Sequence, residues 1–219
     1  MPARRDDPAP PRTWAPDIPR ELSARSGLSP REDIVAARIG GLTGDVSGAH
    51  GRIAESLVEQ CSLDRLDLTG TALTDVTVTG VRAVSLLARE GSWRNVELVE
   101  GRVATVDALR GQWESVVLRD MHIDYLALPS AELTDISIIG CEIGTLDLPE
   151  ARLTRVRIED SRVDEVDTRG MRCRDADLRG LEALAYTDPR GLDGAVLTPQ
   201  QAESHGASFA RALGVRVIG

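Results

Sequence analysis

Aromatic side chains are nearly missing from this chain, at 3% of its residues with a single Phe. A core built from 219 residues without them must be filled by Val, Leu, Ile and Ala, which suit thin, repetitive layers. Lysine is absent: all 26 positive side chains are Arg, a compositional bias without chemical content. Cations are also outnumbered, since 35 acidic residues bring the formal net charge to −9. That balance argues against direct nucleic-acid binding, which needs clustered cations against phosphate, and favours a basic partner. No apolar run approaches the ~18 residues that span a bilayer, and the N-terminal arginines have no apolar segment behind them. A soluble, cytoplasmic protein without membrane contact is expected. The three cysteines, Cys61, Cys141 and Cys173, contain no CxxC pair and are odd in number, so neither a zinc site nor a disulfide framework is signalled.

What is present falls into four stretches. Residues 1–30 hold seven of the eleven prolines, with Trp14 as the one aromatic group, and read as a flexible arm. Residues 31–45 contain Asp33-Ile34-Val35-Ala36-Ala37-Arg38-Ile39, compatible with a short helix or an irregular first coil. From Val46 to about Ala185 a period of five takes over. Apolar residues recur at every fifth position from Ile53, Val58, Leu63 and Leu68 through to Ile158 and Val163, and a second small or apolar series runs two residues ahead, as in Cys61, Leu66, Val76 and Leu86.

Five suits neither regular element alone. A helix would rotate its stripe by about 140° per unit, and an unbroken strand would flip its inward face, because five is odd. Each unit is therefore a short extended wall, with its first and third residues inward and its second outward, followed by a two-residue corner. Gly70, Gly80, Gly140, Gly170 and Gly180 stand at the second corner position, where unusual φ is most often needed. A longer repeat sets the number of corners. Leu128-Pro129-Ser130-Ala131-Glu132-Leu133-Thr134 returns twenty residues later as Leu148-Pro149-Glu150-Ala151-Arg152-Leu153-Thr154, which means four walls per coil. Residues 46–185 then make about seven coils and a rod roughly 34 Å long. Trp93 and Trp113 fall on one wall; Gly91, Gly111, Ala88 and Ala108 clear the space their indoles need.

Ala176-Asp177-Leu178-Arg179-Gly180 matches the small-Asp-Leu-x-x unit of the pentapeptide-repeat family in full, and Leu66-Asp67-Leu68-Thr69-Gly70 matches except for its large first residue. The chain resembles that family over about two-thirds of its length, which implies an all-β fold, a right-handed quadrilateral β-helix. Members implicated in quinolone resistance are acidic dimeric rods thought to imitate DNA in the saddle of gyrase. The Phe-rich interior of many such members is absent here.

Behind the rod, residues 186–219 begin with a loop. Thr198-Pro199-Gln200-Gln201 supplies an N-cap, a proline at the first helical position and a capping-box glutamine. A capping helix is expected over 199–213, stopping at Gly214, with Val215–Ile218 as a terminal strand. Phe209, Ala210 and Leu213 lie on one face of it, which plugs the open end of the solenoid; the resemblance implies a dimer contact there as well.

No enzyme constellation is found, and no cofactor or metal is expected. His50, His122 and His205 lie in separate regions without ligand or triad spacing. The cysteines read as buried small hydrophobes, with Cys61 and Cys141 four coils apart. Stacking by twenties sorts the outward positions into columns. One holds Asp67, Asp107, Asp147 and Asp167, with Asp64, Asp124 and Asp164 at the adjoining corners, forming an acidic stripe flanked by columns containing Arg82, Arg102 and Arg162 or Arg52, Arg152 and Arg172. Such a stripe suits a basic protein surface, DNA gyrase being the first candidate, by setting carboxylates where phosphates would lie. A solvated face that keeps the rod soluble accounts for the same columns, and a scaffold that holds other proteins through the arm and rod is the alternative.

Overall fold

The computed structural model describes residues 7–218. Its body is a parallel β-solenoid of about eight turns. Coils stack at a register of twenty: Val103 pairs with Ile123, Trp93 with Trp113 and Leu133 with Leu153. Two sheets wrap the rod, each bent round a corner so that it supplies two walls. One runs through Arg52–Glu59, Ala72–Thr79 and their successors to Arg172–Asp177, the other through Ser62–Asp67 and its successors to Leu181–Tyr186. This is the architecture that pentapeptide repeats build.

Three corners in each coil turn through a residue in the left-handed region, and the occupant is usually not glycine. Asp75, Asn95, Ser115, Asp135 and Asp175 share one corner, with φ between 53° and 58°. Asp and Asn tolerate this conformation because their short polar side chains bond locally. Gly70, Gly80, Gly140 and Gly170 have the expected positive φ, at 63–65°. Gly180 does not. Arg172–Asp177 ends earlier than its counterparts, and Gly180 is demanded by proximity instead: a Cβ there would meet Glu159 Cα and Ile158 O at 2.8 Å.

The interior is a single column of buried Val, Leu, Ile and Ala side chains with the two indoles at mid-rod. Trp93 and Trp113 stack with ring centroids 4.7 Å apart and planes 5° from parallel. A Cβ on Gly91 would lie 3.1 Å from Trp93 Nε1, and one on Gly111 3.3 Å from Trp113 Nε1, so both glycines are required by the rings beside them. Ala88 and Ala108 are fully buried in the preceding wall. Both indole nitrogens are buried without a hydrogen-bond partner, a cost the layer carries.

The rod starts earlier than the five-residue period indicates. Asp33–Val35, Ala37–Gly40 and Thr43–Ser47 are strands, so Glu32–Gly44 forms a coil and not a helix. That coil is one residue short: Ile34 pairs with Ile53 and Thr43 with Ser62, and the register reaches twenty only after a shift between Gly44 and Asp45. Before it, Ser23–Arg25 pairs with Ala37–Ile39.

The arm also departs from expectation. Residues 1–6 lie outside the described region, but from Asp7 onward the proline-rich segment runs along the rod as a strap, from the coil of Asp175 back to that of Asp75. Proline denies the segment a helix or strand of its own, yet it leaves the intervening amides free to donate to side chains on the rod.

The C-terminal helix is two short ones, α1 (Pro199–Ser204) and α2 (Gly206–Ala212), broken at His205 with φ −98° and ψ 3°. The capping box at Thr198 forms as expected. Gln201 also ties α1 to the rod, because its Nε2 donates to Leu178 O at 2.8 Å and Leu181 O at 2.7 Å, satisfying carbonyls of the last coil. Val215–Ile218 is not a strand; the late strand is Ala195–Val196, which pairs with Ala176 and Asp177.

Candidate interaction surfaces

The outward columns stack as the twenty-residue repeat requires, but the acidic one is interrupted. Leu87 stands between Asp67 and Asp107, and Ala127 between Asp107 and Asp147; only Asp147 and Asp167 are direct neighbours. The corner series is broken likewise by Val84, Ala104 and Gly144. The structure therefore brings Asp124, Asp147, Asp164 and Asp167 into one region and leaves Asp64, Asp67 and Asp107 in earlier coils.

Three of the four aspartates in the outward column first serve the corners. A carboxylate at the outward position accepts from the amide two residues on, as Asp67 does from Thr69 at 3.0 Å, Asp107 from Leu109 at 3.2 Å and Asp167 from Arg169 at 3.0 Å. Each also meets a guanidinium: Arg65 for Asp67, Arg89 for Asp107 at 2.6 Å, and Arg169 for Asp167. The Arg169 hydrogen bonds outweigh burial and, with Thr187 donating at 2.8 Å, hold the Asp167 carboxyl down at about 2. For Asp67, burial pushes upward, but the Thr69 hydrogen bonds and Arg65 bring its pKa below the usual value. Asp147 is the exception. Burial and the neighbouring Asp167 charge raise its pKa, and its partner is the Tyr125 hydroxyl. Asp124 and Asp164 are exposed, with long ion pairs of 3.8 Å to Arg102 and Arg162 and, for Asp124, a closer approach by His122.

His122 lies between two carboxylates, with Nε2 3.3 Å from Asp124 and Nδ1 3.1 Å from Glu142, a surface network with no nucleophile beside it. Among the described residues no group of His, Cys, Asp and Glu is arranged to hold a metal ion. Cys61 and Cys141 are buried as expected, and burial raises their thiol pKa; Cys173 is only half-buried, its thiol pushed up to about 11. No described helix is long and apolar enough to cross a membrane.

At the C-terminal end, Phe209 packs against the core, with His205 between it and Tyr186. Ala210 is half-buried, and Leu213 is 78% exposed. Phe209 and Leu213 line a groove of about 450 Å³ together with Pro189, Leu192 and Leu197.

Sequence reasoning missed a second surface. Ala9 N donates to Asp175 Oδ1 at 3.1 Å, Arg12 N to Asp135 Oδ1 at 2.9 Å, Trp14 N to Ser115 Oγ at 3.3 Å and Asp17 N to Asp75 Oδ1 at 3.1 Å. Asp7 pairs with Arg179 at 2.9 Å. The signal was available in the Asp, Asn and Ser residues that recur by twenties at one corner from 75 to 175, interrupted only by Arg155.

The coils define the class of the protein: a pentapeptide-type β-solenoid with a cap at its C-terminal end. No family model matches the chain, and neither does any curated protein. Among solved structures it is similar to a trypsin-treated variant of QnrB1, a plasmid-mediated fluoroquinolone resistance protein, at 16% identity over 91% of this chain and 100% of that one, with a TM-score of 0.28. At that score the likeness transfers no residue roles, and the fold assignment rests on the coils themselves.

Proposed function

We propose that this chain is a non-enzymatic protein-binding rod that offers its acidic region to a basic surface on a DNA-binding protein, with DNA gyrase the first candidate. The observation that carries this reading is the cluster of Asp124, Asp147, Asp164 and Asp167, where two carboxylates stand in adjacent coils and two more are exposed at the neighbouring corner. Asp64, Asp67 and Asp107 extend the face at lower charge density. Fixed carboxylates on a rigid sheet attract a cationic groove without the entropy cost of ordering them on contact. The exposed Leu213 beside Phe209 and Ala210 gives the rod an apolar end that suits a second copy.

Purified protein is titrated against gyrase at low and moderate salt, with supercoiling followed in parallel. Salt-sensitive binding that Asp124→Asn with Asp147→Asn and Asp164→Asn weakens about tenfold or more supports the reading. Absence of both binding and any effect on supercoiling removes gyrase; binding that the triple variant leaves unchanged removes the acidic region. Sedimentation of Leu213→Glu tests the dimer, which should dissociate.

The second reading, a scaffold acting through the N-terminal segment, is favoured by Trp14, held on the strap with 67% of its surface exposed. If Asp107→Arg with Asp147→Arg leaves partner recovery intact and loss of residues 1–30 abolishes it, the scaffold reading prevails.

A further inference from the structure

Asp75, Asn95, Ser115, Asp135 and Asp175 form a ladder of polar side chains along one corner of the rod, each held by the same left-handed backbone. The ladder is braced within itself. Asn95 Nδ2 donates to Asp75 Oδ1, Ser115 Oγ donates to Asn95 Oδ1 at 3.4 Å, and Arg155 donates twice to Asp135, at 2.6 and 2.7 Å. Asp75, Asn95 and Asp135 are thus held in direction by contacts made within the rod itself.

What lies on them is an extended segment whose donors are spaced to the ladder. Ala9 and Arg12 are three residues apart and reach ladder positions two coils apart; Trp14 and Asp17 repeat that relation, and the step from Arg12 to Trp14 between them spans two residues for one coil. A polyproline II helix has three residues per turn, so amides three apart point the same way, whereas a β-strand would alternate. The lengths also agree. From Ala9 to Asp17 such a helix advances about 25 Å at ~3.1 Å per residue, and from the coil of Asp175 to that of Asp75 the rod advances about 24 Å at ~4.8 Å per coil. Pro10, Pro11 and Pro16 occupy positions between these donors, and Pro8 stands just before the first, where no amide is needed.

The segment contributes nothing to the core, and Pro10, Arg12 and Trp14 are exposed. It is held by main-chain hydrogen bonds and the Asp7–Arg179 pair, a set that another chain of the same pattern can reproduce. We propose that the ladder is a binding site for proline-rich segments in the polyproline II conformation, that residues 7–17 are the ligand it carries in cis, and that a proline-rich segment of a partner protein displaces them in trans. The recognised pattern is amides at spacings of three, two and three residues among prolines, with a cation where Arg12 faces Asp135.

The test uses the full chain and a fluorescent peptide of residues 7–18. Ala9→Pro with Arg12→Pro and Asp17→Pro removes cis donors while keeping the strap's conformation, and the near-ultraviolet couplet of Trp93 and Trp113 reports whether the rod is intact. The peptide should bind this variant saturably and about tenfold or more tightly than it binds the unaltered chain, whose ladder is already filled. Adding Asp75→Gly, Ser115→Gly and Asp175→Gly, which keep the left-handed corner and remove three of its four acceptors, should weaken binding about tenfold or more. The proposal is overturned if the peptide fails to bind the strap variant, if the ladder substitutions leave binding unchanged, or if a peptide carrying the same three prolines binds equally well.

Discussion

Replacing Trp93 by Ala should destabilise the rod by about 3 kcal/mol. Trp93 is 2% exposed and lies in a layer sequence Leu73, Trp93, Trp113, Leu133, one above the other on one wall. Truncating a buried Trp to Ala costs about 3–5 kcal/mol, toward the upper end where the surroundings cannot collapse. Here the walls are set by main-chain hydrogen bonds and Gly91 offers no side chain to move inward, so collapse is limited. Opposing this, the indole N–H is buried without a partner, and its removal relieves a penalty of about 1–3 kcal/mol. The net expectation therefore sits at the lower end of the range. Guanidinium unfolding of wild type and variant, followed by far-ultraviolet circular dichroism, measures the difference, and the near-ultraviolet couplet of the stacked pair should vanish at the same time. Because coils contact only their neighbours, coincidence of the two signals must be checked before one free energy is assigned. An unchanged unfolding midpoint would refute the layer assignment, since no other packing of an indole here escapes a cavity on truncation.

Gly91→Val, which forces a side chain against Trp93 Nε1 and Ala88 O, both 3.1 Å from its Cβ, should cost about 1–3 kcal/mol by the same measurement. Asp167 titrates at about 2 in the folded protein against an ordinary 3.8, so its stabilisation is complete above pH 4 and is lost as pH falls through 2. The shift corresponds to about 2 kcal/mol, and Asp167→Asn should flatten the acid limb of a stability-versus-pH curve in that window; an unaltered limb would show that the Arg169 pair contributes nothing. Gln201→Ala leaves Leu181 O without its donor and Leu178 O with the Leu181 amide alone, and should cost about 1–2 kcal/mol, read as faster amide exchange confined to the C-terminal coil.

The walls, the twenty-residue coil and the indole pair were legible because each follows from spacing alone: a five-residue apolar period admits no other arrangement, and Gly91 and Gly111 mark where rings must fit. The acidic columns were legible as columns but not as charge. Whether an aspartate is free or caps its own corner depends on hydrogen bonds to residues such as Thr69 and Arg169, which stacking cannot show. The strap was missed because proline-rich composition reads as disorder when taken alone; its order comes from acceptors scattered over a hundred residues of another region. The helix break at His205 had a visible marker in Gly206, a poor residue for a helix interior.

The strap has a consequence for how such a rod can evolve. Solenoids ordinarily lengthen by duplication, since an added coil contacts only its neighbours. Here one extra coil would displace everything beyond it by about 4.8 Å, one and a half polyproline residues, and every amide past that point would miss its acceptor. Two extra coils matched by three extra strap residues would restore the fit. The N-terminal segment is thus a vernier against which the number of turns is counted, and it holds the molecule at the length it has.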